Sequence, residues 1–144
     1  PAGPGQEAVE VEVEELADPR FDAAVAAVNA GDWNVAKKAY QEILNTDPSD
    51  LDAQGGLIMA GIFERTYGVM SPLGDSFDEL LVMADLAAAS GEWKNAFSAV
   101  VRAVQASAGP ERELARTRIV EYFVLAGEDP SVAGARIALA NALF

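Results

Sequence analysis

The 144 residues suffice for one domain, and a 51% hydrophobic content can fill a core of that size. The absence of cysteine and histidine excludes disulfides, thiol chemistry, imidazole acid–base catalysis and the usual zinc ligands. A net charge of −13 disfavours binding to nucleic acid and to anionic membranes, and no apolar run reaches the ~18–20 residues that a membrane helix needs.

Residues 1–17 differ in composition from the rest, because three valines alternate there with Glu10, Glu12 and Glu14. Alternation would suit an edge strand, but a lone strand has no pairing partner in an otherwise helical chain. We therefore predict a flexible acidic linker over 1–17, which serves as a solvating spacer or binds a basic partner, and a helical domain over 18–144. Because the chain starts at Pro1 without methionine, we expect a piece of a longer or processed protein.

The next stretch predicts a helical hairpin. The first helix starts near Asp18-Pro19 and ends at Gly31, which suits a left-handed helix end. A second helix follows, with apolar residues at helical spacing, and Pro48 stops it. A third helix runs from about Ser49 to Tyr67 and contains three glycines. These glycines indicate either the close approach of another backbone or a weak helix.

Four further helices are predicted after the loop at Val69–Asp75. The fourth begins with a capping box, Ser76 with Glu79, and ends at Gly91. The fifth repeats the Gly-acid-Trp turn of Gly31 sixty residues later, at Gly91. The sixth starts at Gly109-Pro110, and the seventh starts at Asp129-Pro130 and runs to the end. Such hairpins must stack to bury their apolar faces, so we predict an all-α array of about seven helices.

No pattern in the sequence predicts catalysis or a cofactor. The oxygen-bearing cluster Asp47, Ser49, Asp50 and Asp52 lacks the glycine and glutamate of a calcium loop, so we favour helix capping. No serine has a histidine to activate it, and no phosphate-binding loop is present. The chain is therefore predicted to be a binding protein and not an enzyme, with no metal. Trp33 and Trp93 occupy equivalent turn positions, which favours packing over peptide contacts.

The seventh helix is the main candidate for function. Val132, Ala135, Leu139 and Leu143 form one apolar stripe, which can pack on the sixth helix. Ile137, Ala140 and Phe144 form a second stripe with no intrachain neighbour in prospect. An exposed apolar surface is typical of an interaction site. The open alternatives are burial of this helix within the chain and homodimerisation.

The two Gly-acid-Trp hairpins, their irregular spacing and the ending Ala-Leu-Ala-Asn-Ala-Leu-Phe resemble one known family. It is the C-terminal, tetratricopeptide-repeat (TPR) half of the bacterial thioredoxin-like co-chaperones of the YbbN or CnoX type. The resemblance covers about residues 18–144, and residues 1–17 would be the linker to an upstream thioredoxin-like domain.

The resemblance implies a cytoplasmic accessory chaperone. Members of that family hold unfolding client proteins and pass them to a GroEL-type chaperonin, to which they dock through the C-terminal helix. Carried onto this chain, the apolar contacts with the chaperonin are Ile137, Leu139, Ala140, Leu143 and Phe144. The alternative is a general TPR scaffold that binds another protein or associates with itself through the last helix.

Overall fold

A computed structural model describes residues 18–70 and 74–144, and in those ranges every regular element is helical. A 3₁₀ turn at Pro19–Phe21 leads into α1. The seven α-helices of the described residues are α1 (Asp22–Asn29), α2 (Trp33–Thr46), α3 (Leu51–Thr66), α4 (Phe77–Ala89), α5 (Trp93–Gln105), α6 (Gly109–Ala126) and α7 (Ser131–Leu143). The all-α, TPR-like array is thus confirmed. The linker predicted over 1–17, and residues 71–73 of the predicted loop, lie outside the described residues.

Helices α1 to α6 pack in succession, each against the next along the chain. The seventh breaks this order, since α7 packs chiefly on α5. The expectation that it would pack on α6 is wrong. Its buried residues, Val132 and Ala135, have small side chains that allow a close approach to α5. A side-chain contact also links α7 to α6: the Arg136 guanidinium lies over the Phe123 ring, 5.3 Å from its centroid.

The two glycine turns are built alike. Gly31 and Gly91 have φ of 72° and 74°, a left-handed conformation that only glycine adopts at little cost. The Asp32 and Glu92 N–H groups donate to carbonyl oxygens five residues earlier, each at 2.9 Å. These bonds satisfy helix-end carbonyls in the manner of a Schellman motif. The repeated turn seen in the sequence is therefore the same structure twice.

The hydrophobic core is unevenly distributed. The main cluster lies among α4, α5 and α6 with Ile62 of α3 and one side of α7, and its largest fully buried members include Leu80, Ile119 and Tyr122. A separate small cluster joins α1, α2 and α3 through Ala27, Ala36 and Ala60. The scaffold that supports α7 is therefore the better packed part of the described chain.

The glycines of α3 make room for side chains and not for another backbone, so that expectation is wrong. A Cβ on Gly56 would overlap the ring of Tyr40 from α2. A Cβ added to Gly55 would lie 3.8 Å from Leu125 Cδ2, and a Cβ added to Gly61 would lie 3.1 Å from Arg65 Nη1. Only Gly56 is required by a close contact, which seats the aromatic ring against the α3 backbone.

Candidate protein-interaction surfaces

A hydrogen-bonded turn between Asp129 and Ser131 leads into helix α7. The Asp129 carboxylate accepts hydrogen bonds from the Ser131 hydroxyl at 2.6 Å and from the Ser131 N–H at 3.0 Å. Both hydrogen bonds lower the pKa of Asp129, and the bond from the Ser131 hydroxyl has the larger effect. The carboxylate is thus charged and fixed at the positive end of the helix dipole, which stabilises the helix start.

One side of α7 holds the helix to the core. Val132 and Ala135 are buried, while Leu139 and Leu143 are half-buried and pack against the main cluster. The last two were also predicted as partner contacts. The structure gives them a packing role, and only part of each side chain faces outward. They position the helix, and only their outer edges are accessible.

The opposite side of α7 is apolar and exposed. Ala133, Ile137, Ala140 and Phe144 follow helical spacing, and we call them the α7 stripe. Ile137 is 65% exposed and Phe144 is fully exposed. Three of these four belong to the predicted partner contacts, and the structure brings them together on one face. Exposed apolar side chains arranged in a row are typical of a protein-binding surface.

A groove of about 830 Å³ runs beside the contact between α5 and α7. Phe97 and Val101 of α5 and Ala135 of α7 are buried beneath it. Lys94 and Arg102 of α5 stand at its edge, and Gly134 forms part of the α7 wall. No sequence pattern predicts this groove directly, because it depends on α7 packing against α5.

A buried ionic network joins α3, α4 and α6. Asp85 is 2% exposed and receives two hydrogen bonds from the Arg65 guanidinium, at 2.8 and 3.0 Å. Arg118 donates to it at 2.9 Å, and the Tyr122 hydroxyl donates at 2.6 Å. Burial, more than the charge of Asp85, raises the pKa of Tyr122. These four hydrogen bonds converge on the carboxylate of Asp85, so the network fixes three helices.

The remaining predicted site residues have structural roles. Trp33 packs on Phe63 with ring centroids 5.1 Å apart, and Trp93 packs on Phe97 and Tyr122, each at 6.1 Å. The packing interpretation of the tryptophans is thus supported. Asp50 caps α3 by accepting from the Ala53 N–H at 2.9 Å. This hydrogen bond lowers the pKa of Asp50, and the nearby Arg20 lowers it to a smaller extent.

Arg20 draws the acidic cluster together. Its guanidinium contacts Asp18 and Asp50 at 2.8 Å and Asp47 at 3.5 Å. Within residues 18–70 and 74–144, no group of three or more acidic side chains could hold a metal ion. These acids therefore serve helix capping and ion pairing in the described structure.

The family model for the tetratricopeptide repeat matches residues 75–144, which include α4 to α7. The match supports a TPR domain, and TPR domains are generally non-catalytic modules for protein–protein interaction. No solved structure matches this chain. None of the described helices is long and apolar enough to cross a membrane.

Among curated proteins, the chain is similar to uncharacterised proteins of Mycobacterium bovis and of two strains of Mycobacterium tuberculosis. Each is 30% identical over 135 residues, which cover 88% of this chain and 44% of the relative. The chain thus spans less than half the length of these relatives. Their names assign no activity, so the particular partner of this domain has to be argued from its own surfaces.

Proposed function

We propose that this chain is the interaction domain of a co-chaperone, which holds or delivers unfolding client proteins and docks on a GroEL-type chaperonin through α7. The α7 stripe carries this proposal, because it presents Ile137 and Phe144 to solvent on a well-anchored helix. A TPR-like array indicates a protein partner in general terms. The chaperonin, the clients and an upstream thioredoxin-like domain rest on the family resemblance described above.

The chemistry of the stripe suits docking. Burying a side chain such as isoleucine or phenylalanine contributes about 1.5–3 kcal/mol. Two such residues on one helix can therefore supply much of the affinity of a transient interface. The helix meanwhile stays in place, since Val132 and Ala135 bind it to the core.

The test is binding of the purified chain to immobilised GroEL, measured by surface plasmon resonance. The double variant Ile137→Asp, Phe144→Asp should weaken binding at least tenfold, because charges would replace the two exposed anchors. Its circular dichroism and melting temperature should stay close to native, since both side chains are exposed. The matched control is Val25→Asp, which adds a charge at an exposed valine of α1.

Native binding by the double variant would rule out docking through the stripe. The alternative, a general TPR scaffold that binds a different protein or self-associates, predicts no chaperonin binding by the native chain. Sedimentation velocity separates these cases: a native dimer that the double variant converts to monomer would assign the stripe to self-association.

A further inference from the structure

The groove between α5 and α7 has the features of a second, separate binding surface. Its volume of about 830 Å³ lies within the range of pockets that bind small molecules and peptide side chains. Phe97, Val101 and Ala135 give it an apolar floor. The neighbouring Ala138 and Ser98 are small, so the walls are low.

Gly134 has no packing function within the described chain. A glycine inside a helix costs about 1 kcal/mol relative to alanine. A Cβ added at Gly134 would meet no described atom within 4 Å, so the residue leaves open space at the groove wall. This gap lets a partner approach the α7 backbone closely, as small residues do at tight helix contacts.

Two cations mark the α5 edge of this groove. Lys94 and Arg102 lie eight residues apart on one face, about 12 Å along the helix. Residues 19–144 contain 17 acidic and 10 basic side chains, so a purely basic edge opposes their net charge of −7. Among described residues, Lys94 forms no ion pair, and Arg102 reaches only Asp75, at 3.9 Å between exposed side chains.

Asp129 is the acidic side chain at the groove; it lies on the α7 side and accepts hydrogen bonds from Ser131 at the start of α7. The α5 side of the groove therefore offers two positive charges beside an apolar floor, away from the negative charge of Asp129. A complementary ligand has apolar side chains flanked by carboxylates at a matching spacing. Carboxylates seven or eight residues apart on a helix meet that spacing.

We propose that the α5–α7 groove binds an amphipathic acidic peptide helix of a partner protein, with its apolar side chains on Phe97 and Val101 and its carboxylates beside Lys94 and Arg102. This mode is the insertion of a helix into a groove. The site is distinct from the α7 stripe, because Gly134 and Ala138 lie roughly 110° around the helix axis from the stripe. One helix thus presents two surfaces, and occupation of one leaves the other accessible.

The experiment is selection of a displayed library of random 16-residue peptides on the folded chain, followed by fluorescence anisotropy with the enriched peptides. Enriched sequences should combine helical apolar spacing with glutamate or aspartate. Gly134→Leu should weaken their binding at least tenfold, because the new side chain fills the groove. It also replaces a glycine by a strong helix former, so α7 should remain folded.

The charge contribution is tested by Lys94→Glu with Arg102→Glu, which should weaken binding about five- to tenfold, as expected for two exposed ion pairs. Raising the salt concentration should reduce the same contribution. Ile137→Asp is the control on the other face of α7 and should bind the peptides as the native chain does. Conversely, Gly134→Leu should bind GroEL as the native chain does, so this test and the chaperonin test can fail independently.

Three results would overturn the proposal. The first is a selection that enriches no peptide, or enriches peptides without carboxylates. The second is unchanged affinity of the enriched peptides for Gly134→Leu. The third is a native dimer in sedimentation that Gly134→Leu abolishes, which would make the occupant a second copy of this chain.

Discussion

The two Gly-acid-Trp hairpins share a turn but differ in what stabilises them. Residues sixty positions apart are equivalent, and the innermost alanines match: Ala24 with Ala84, and Ala36 with Ala96, are all fully buried or nearly so. At the next residue of the second helix the hairpins diverge. Lys37 of α2 forms an ion pair with Glu64 at 2.8 Å, whereas Phe97 of α5 lies in the core between Trp93 and Phe123.

The same register applies to the first helix of each hairpin and to the helix that follows the hairpin. Val25, which is exposed, stands where Asp85 is buried, and Ile62 of α3 stands where α6 has Tyr122. The difference teaches that the turn sets the geometry of a hairpin, while side chains beyond the turn set its stability. We infer that α1 and α2 open more readily than α4 and α5, since they bury fewer large apolar groups.

The largest expected difference comes from replacing the equivalent residues Phe97 and Lys37 by alanine, one at a time. Phe97→Ala should lower the free energy of unfolding by about 3–5 kcal/mol, because it removes a buried aromatic side chain and leaves a cavity. Lys37→Ala should cost about 1 kcal/mol at most, since its ion pair with Glu64 is partly exposed. Urea denaturation measures both. Equal costs would contradict the inferred difference between the hairpins.

The buried carboxylate of the second hairpin gives the next largest effect. Asp85→Asn should destabilise by about 3 kcal/mol, because Arg118 and Arg65 would lose their anionic partner in a buried site. At the equivalent position of the first hairpin, Val25→Asn should change stability by about 0.5 kcal/mol or less, since that side chain is half exposed. A cost below about 1 kcal/mol for Asp85→Asn would mean that the network contributes little to stability.

Tyr122 should make stability dependent on alkaline pH, which its counterpart Ile62 cannot do. Burial raises the pKa of Tyr122, and its hydrogen bond to Asp85 acts in the same direction. In the unfolded chain the phenol ionises at about pH 10, so the contribution of Tyr122 to folding stability is complete below that pH. Above it, only the unfolded state loses the proton, and stability should fall by up to about 1.4 kcal/mol per pH unit.

The matched variant is Tyr122→Phe, which keeps the ring and removes the ionising hydroxyl. Urea unfolding of both proteins between about pH 9 and pH 11 should show a steeper loss for the native chain. Parallel losses would show that other groups cause the alkaline dependence.

Local chemistry is what made the helices predictable. Capping residues such as Ser76 with Glu79, and turn residues such as Gly31 and Gly91, act within a few positions of themselves, so their effect can be read in order. The exposed stripe of α7 followed in the same way from helical spacing. Its use by a partner stays a prediction.

Contacts between distant residues could not be predicted in this way. Asp85 receives its bonds from residues 20, 33 and 37 positions away. The available signal was a single charge inside the apolar run of α4, which implies a buried partner without identifying it. Likewise, packing of α7 on α5 depends on the shape of both helices, and the groove beside Gly134 exists only because of that packing.

The smallest expected difference lies in the caps that start α2 and α5. The Asp32 carboxylate accepts a hydrogen bond from the Val35 N–H at 3.2 Å, whereas Glu92 makes no such bond although its backbone angles are similar. Asp32→Ala should therefore cost about 1 kcal/mol and Glu92→Ala almost nothing. Glu92→Asp should add the missing bond and raise the free energy of unfolding by about 0.5 kcal/mol.

Urea denaturation of the three variants measures these differences, and equal costs for the two alanine variants would show that the Asp32 bond contributes nothing measurable. A gain from Glu92→Asp would show that the second hairpin, stabilised by its core, still lacks a local interaction that the first one has.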